Sequence, residues 1–130
     1  MTLKNWMIFK SIVCIVFGVG FVFAAAPLMT LYGATLNATG TLFAQFLGAS
    51  FVVLAIYLWL ARNVTDAEAN RAIVLAVFVG DAVGFIVALL AQLSGMFNAL
   101  GWMIVALWLV LSLGFGYFLV VKPAAQAQPG

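Results

Sequence analysis

Residues 71–93 read RAIVLAVFVGDAVGFIVALLAQL, and after Arg71 the single ionisable side chain among them is Asp81. At about 1.5 Å rise per residue, a helix of this length covers the roughly 30 Å of a bilayer's hydrocarbon layer. The stretch lacks the strict alternation of a barrel strand. Where water cannot reach the backbone, each amide must find its partner within its own segment. Residues 71–93 therefore predict a membrane-spanning helix.

Three further stretches of the same kind flank it, from about Trp6 to Ala26, from about Thr41 to Ala61 and from about Gly101 to Val121. The expected fold is all-α: a polytopic integral membrane protein in which four helices form an antiparallel transmembrane bundle over residues 1–121. Composition points the same way. Of 130 residues, 68% are hydrophobic and 6% are charged, against roughly 25% charged in a typical soluble domain. Five basic and three acidic side chains cannot coat the outside of a water-soluble bundle.

The connectors differ in character. Pro27–Gly40 carries no charge, and its Leu28, Met29, Leu31, Tyr32 and Leu36 place it at headgroup level. Arg62–Arg71 is polar, and Thr65 followed by Glu68 fits a capping box that starts the third helix before the membrane does. Ser94–Leu100 is again uncharged. The tail over 122–130 has too little apolar surface to fold and is expected to be disordered.

Lys4, Lys10, Arg62, Arg71 and Lys122 all fall on one side of a four-span topology. The positive-inside rule then puts both termini in the cytoplasm. Trp6, Tyr57, Trp59 and Tyr117 mark the inner boundary, and Tyr32 and Trp102 the outer one. Lys4, Lys10 and Ala24-Ala25-Ala26 have the layout of a cleavable secretion signal, but Pro27 directly after the alanines disfavours cleavage. The first helix is expected to be retained.

Several classes of activity are excluded. Cys14 is the one cysteine and there is no histidine, so internal disulfides, CxxC motifs, histidine metal ligands and histidine-based catalysis are absent. No basic cluster tracks a nucleic-acid backbone. No catalytic set, metal site or cofactor is expected. Gly18-x-Gly20 and Gly114-x-Gly116 lie in apolar helices and do not read as nucleotide loops.

Asp81 is the residue that invites a function. A carboxylate near mid-bilayer is costly unless paired, hydrated or protonated. One reading makes it a proton or cation site, with Gln45, Gln92 and Trp108 lining the route. The other makes it structural: protonated and hydrogen-bonded to another helix, or paired with Lys10, whose stem reaches inward from the first helix. Gln45 and Gln92 lie at similar depth and suit an interhelical hydrogen bond. Trp108, too deep for an interfacial anchor, suits core packing.

Beside Asp81 runs a ladder of small residues, Ala76, Gly80, Gly84 and Ala88. Small residues four apart let helices approach closely where lipid removes the hydrophobic drive. Gly48 on the second helix and Gly18 on the first offer matching surfaces. The third helix is thus expected to be the hub of the bundle, or to associate with another copy.

Leu31-Tyr-Gly33, Gln45-Phe-Leu-Gly-Ala49, Trp59-Leu-Ala-Arg62, Gly101-Trp102 and Gly114-Phe-Gly-Tyr-Phe118 together resemble small bacterial four-helix membrane proteins of the DoxX-like group. The resemblance implies a compact four-helix membrane domain of bacterial type, hence a bacterial inner membrane, and carries no functional residue with it. The expected function is a non-enzymatic accessory or packing subunit of a larger membrane assembly, with the bilayer and other membrane subunits as partners. The alternative is a small proton- or cation-coupled transporter, or a lipid/quinone-type ligand binder, using Asp81.

Overall fold

A computed structural model describes residues 1–121. It contains four helices, α1 (Leu3–Leu31), α2 (Ala38–Ala61), α3 (Ala67–Leu93) and α4 (Gly101–Val120), each long and apolar enough to span a membrane. Phe23, Phe43, Leu60, Leu90 and Leu113 are all more than half exposed around the periphery, an apolar outer surface compatible with a membrane. The expected tail of 122–130, with Lys122, lies outside the described residues.

Helix limits follow local chemistry more closely than hydropathy did. Thr2, Asn37 and Asp66 cap α1, α2 and α3 through side-chain oxygens that accept from Asn5 N (3.2 Å), Gly40 N (2.7 Å) and Ala69 N (2.7 Å). Such caps satisfy amides that the first turn leaves unpaired. Asn37 starts α2 earlier than the expected Thr41. In α3 the cap is Asp66, not the capping box expected from Thr65, and Glu68 lies in the positive first turn.

α1 runs past the expected end at Ala26 to Leu31, correcting the reading of Pro27–Gly40 as wholly interfacial connector. The backbone breaks instead at Ala24 (φ −142°, ψ 42°). Pro27 then falls in the first turn of the segment that follows, where its missing N–H costs nothing. Gly33 and Gly95 close α1 and α3 with φ of 81° and 80°. Ala34 N donates to Met29 O (2.9 Å) and Met96 N to Ala91 O (3.2 Å), the doubled bond pattern that a left-handed glycine permits at a helix end.

The helices pair as α1 with α2 and α3 with α4, with a sparser contact between α1 and α4. The expectation that α3 is the hub is therefore corrected. The closest backbone approach is Gly18 of α1 against Gly48 of α2: a Cβ on Gly48 would lie 2.7 Å from Gly18 O and 2.9 Å from Val22 N. On α3, Ala76 and Gly80 are exposed and nothing lies within 4 Å of a Cβ built on Gly80. Gly84 and Ala88 alone of that ladder meet other helices' side chains or are buried, Gly84 lying against the Trp108 ring of α4.

The two pairs meet in a solid core at one end, formed by Trp6, Met7, Leu58, Val74, Phe115 and Phe118 among others. Trp6 is buried there over Gly114. At the other end Asn98, in the α3–α4 connector, holds the end of α1. Its backbone N–H donates to Tyr32 O (2.8 Å) and its side-chain amide to Leu31 O (3.0 Å). Joined at both ends, the pairs stand apart between them.

Candidate functional site

Between the helix pairs lies a cavity of about 570 Å³, lined by all four helices. Each helix contributes a stripe at three- and four-residue spacing, so each stripe lies on one face. α1 gives Lys10, Cys14, Phe17 and Phe21; α2 gives Ala44, Leu47 and Phe51. α3 gives Gly80, Gly84, Val87 and Ala91; α4 gives Ile104, Trp108 and Leu111. The hollow exists because α3 presents so little side chain. Its small residues, read from the sequence as a helix-packing ladder, chiefly make room.

The lining is apolar except at its floor. There Lys10 Nζ donates to Asp81 Oδ1 in a salt bridge between side chains 1% and 2% exposed. Each charge would be costly alone in hydrocarbon, and together they cancel. Lys10 Nζ also lies 5.4 Å from the Trp108 ring centre and 6.0 Å from that of Phe115, where aromatic faces favour a cation. Asp81 Oδ2 is buried and has no hydrogen-bond partner among the described residues. A lysine ammonium carries three donors, of which Asp81 takes one. The floor is thus electrically neutral but keeps unused hydrogen-bonding capacity.

Trp108 ties the site together. Its ring packs on Gly84 of α3, stands 6.2 Å from the Phe51 ring of α2, and faces Lys10 of α1. Phe51 in turn lies 6.3 Å from Phe21, and Phe21 6.3 Å from Phe17. An aromatic wall therefore runs up one side of the cavity from the ion pair.

Of the residues that the sequence singled out, Lys10, Asp81 and Trp108 come together. Gln45 and Gln92 do not join them, and they do not bond each other. Gln45 is exposed and donates to Val22 O (3.3 Å), two residues before the α1 break. Gln92 donates to Asn98 O (3.1 Å) and steadies the connector. Cys14, Phe17, Phe21 and Phe51 went unnoticed as lining residues. The spacing of Lys10, Cys14, Phe17 and Phe21 was the available signal, since it places an unusual lysine on an aromatic stripe.

Among the described residues, no group of histidine, cysteine, aspartate or glutamate side chains could hold a metal ion. No family model, curated protein or solved structure matches this chain. The site must be read from its own geometry.

Proposed function

We propose that this chain is a non-enzymatic integral membrane protein that binds a largely apolar, membrane-soluble molecule between its helix pairs. One observation carries the reading: an apolar cavity of about 570 Å³ that ends on a buried lysine–aspartate pair. Ligand sites commonly occupy about 300–1,000 Å³, with apolar walls and a few polar groups that fix orientation. A bundle needing only stability would fill such a space.

The same floor argues against a cation-coupled transporter. Lys10 occupies the place beside Asp81 that a transported cation would take. In the reading proposed here the chain lies in a bacterial inner membrane, helices antiparallel and termini cytoplasmic. That topology rests on the one-sided placement of Lys4, Arg62, Arg71 and Lys122, Lys10 being buried beside Asp81. It places the solid core towards the cytoplasm and Asn98 at the outer face.

Native mass spectrometry of protein released from membranes in mild detergent tests the proposal. The expected result is a population of the chain carrying one non-covalent apolar molecule. A bare chain alone, at every activation energy that preserves the fold, contradicts it. A second reading, an accessory subunit of a larger assembly, is favoured by the exposed, unpartnered small-residue surface at Ala76. Reproducible isolation as a lone, partner-free species counts against that one.

A further inference from the structure

The cavity is closed on most sides. Gly18 and Gly48 seal α1 to α2, and Gly84 against Trp108 seals α3 to α4. Below the ion pair the solid core blocks one end. At the other, Met29, Tyr32, Leu36 and Phe97 line the cavity under the Asn98 latch. No packed seam joins α2 to α3. On that side Leu47 of α2 and Gly80, Val83 and Val87 of α3 both line the cavity and are exposed. The unsealed side lies midway along two apolar helices, so it opens on hydrocarbon and not on water.

The floor restricts what can dock there. Lys10 lines the cavity while Asp81 stands behind it. A quaternary ammonium head would meet the lysine first, and like charges repel strongly at low dielectric. A carboxylate or phosphate would bring a second negative charge beside Asp81 and require its own hydration to be stripped. A hydroxyl or carbonyl has neither fault. It accepts a hydrogen bond from an unused Lys10 N–H at the cavity floor.

We infer that the ligand reaches the cavity sideways from the bilayer, between α2 and α3 past Gly80, and is a neutral long-chain lipid whose hydroxyl or carbonyl end docks on Lys10. This rests on the reading of the cavity as a binding site, and it adds the route and the ligand class. Gly80 is the natural gate position, because a side chain built there enters open space.

Bromine quenches tryptophan on contact, and Trp108 lies in the cavity wall. Protein reconstituted in phosphatidylcholine vesicles is mixed with a fatty alcohol brominated at mid-chain, the matching ionised fatty acid, or brominated phosphatidylcholine. The quenching absent from Trp108→Phe is assigned to Trp108. The alcohol is expected to quench Trp108 at about tenfold lower membrane fraction than either other probe, which is about 1.4 kcal/mol. Gly80→Leu and Val83→Phe should keep the wild-type melting temperature and slow the onset of that quenching by about tenfold. Equal quenching by the ionised acid overturns the neutral head group. Unchanged onset in both folded variants overturns the lateral route, and so does a Gly80→Leu chain that cannot fold, since the space claimed for it is then absent. If neither the alcohol nor the acid quenches Trp108 at a lower membrane fraction than brominated phosphatidylcholine does, the binding reading itself fails.

Discussion

Lys10 and Asp81 are each the reason the other can stay where it is. Read from the sequence alone, Asp81 was as easily a protonated acid hydrogen-bonded to another helix, for which Asn would be a near-silent replacement. With Lys10 as its partner, Asp81→Asn leaves an ammonium buried without its counter-charge. Loss of one member of a buried pair costs about 3–5 kcal/mol, so this variant should unfold markedly earlier in a detergent or thermal titration. Removing both charges with Lys10→Met/Asp81→Leu should restore stability to within about 1 kcal/mol of wild type, because apolar replacement of a buried pair is often neutral. A double variant as weak as the single one would show that the pair is not the relevant contact. Trp108 offers a second residue-scale test. A methyl on Gly84 would press within 2.5 Å of its ring, and overpacking of this kind costs about 1–3 kcal/mol. Gly84→Ala should therefore lower the melting temperature, and Trp108→Phe should recover part of the loss by shrinking the ring it strikes. The sequence showed that Asp81 and Lys10 were anomalous, since charges in apolar runs stand out one at a time. It did not show that Trp108 would stand over Lys10, because that depends on how α4 turns against α1.

Among the elements, helix number and approximate span were legible from hydropathy, because each helix is a long run of apolar residues set off by a short connector. Helix ends were less so. Whether Pro27 ends α1 or begins its last segment is decided by one residue, Ala24, whose conformation no pattern encodes. Pairing was the least legible, since small residues serve equally well as a seam or as the wall of a hollow. Gly18 and Gly48 form the α1–α2 seam and Gly84 packs on Trp108, whereas Gly80 borders the cavity with open space beside it. Substitution separates the two uses. Gly48→Leu drives a side chain into the backbone of α1 and should destabilise the α1–α2 pair by about 3 kcal/mol or more. Gly80→Leu meets open space and should leave the melting temperature unchanged. Similar effects of the two in one unfolding assay would refute this division. The Asn98 latch makes a further prediction. Asn98→Ala removes the side-chain bond to Leu31 O, and the one that Asn98 Oδ1 accepts from Leu100 N within the connector, while leaving the backbone bond to Tyr32 O. One such hydrogen bond is worth about 1 kcal/mol. Amide exchange over residues 29–34 should accelerate, with protection at Val74 and Phe115 in the distant core unaltered.

For the molecule as a whole, two helix pairs are fastened by a solid core at one end and by Asn98 at the other, and a hollow ending on a neutral ion pair lies between them. Sequence reasoning reached the four-helix architecture because four long apolar runs stand out along the chain. It could not reach the hollow, since a void is a property of what four faces jointly fail to fill. The most direct test of the hollow and its occupant is a magnetisation-transfer NMR experiment on protein extracted with its native lipids. Contacts from the Trp108 indole and the Phe17 ring to lipid-chain methylenes, without contacts to choline or glycerol headgroups, are the predicted result. Trp108 contacts confined to protein side chains would show a closed, packed interior and contradict it.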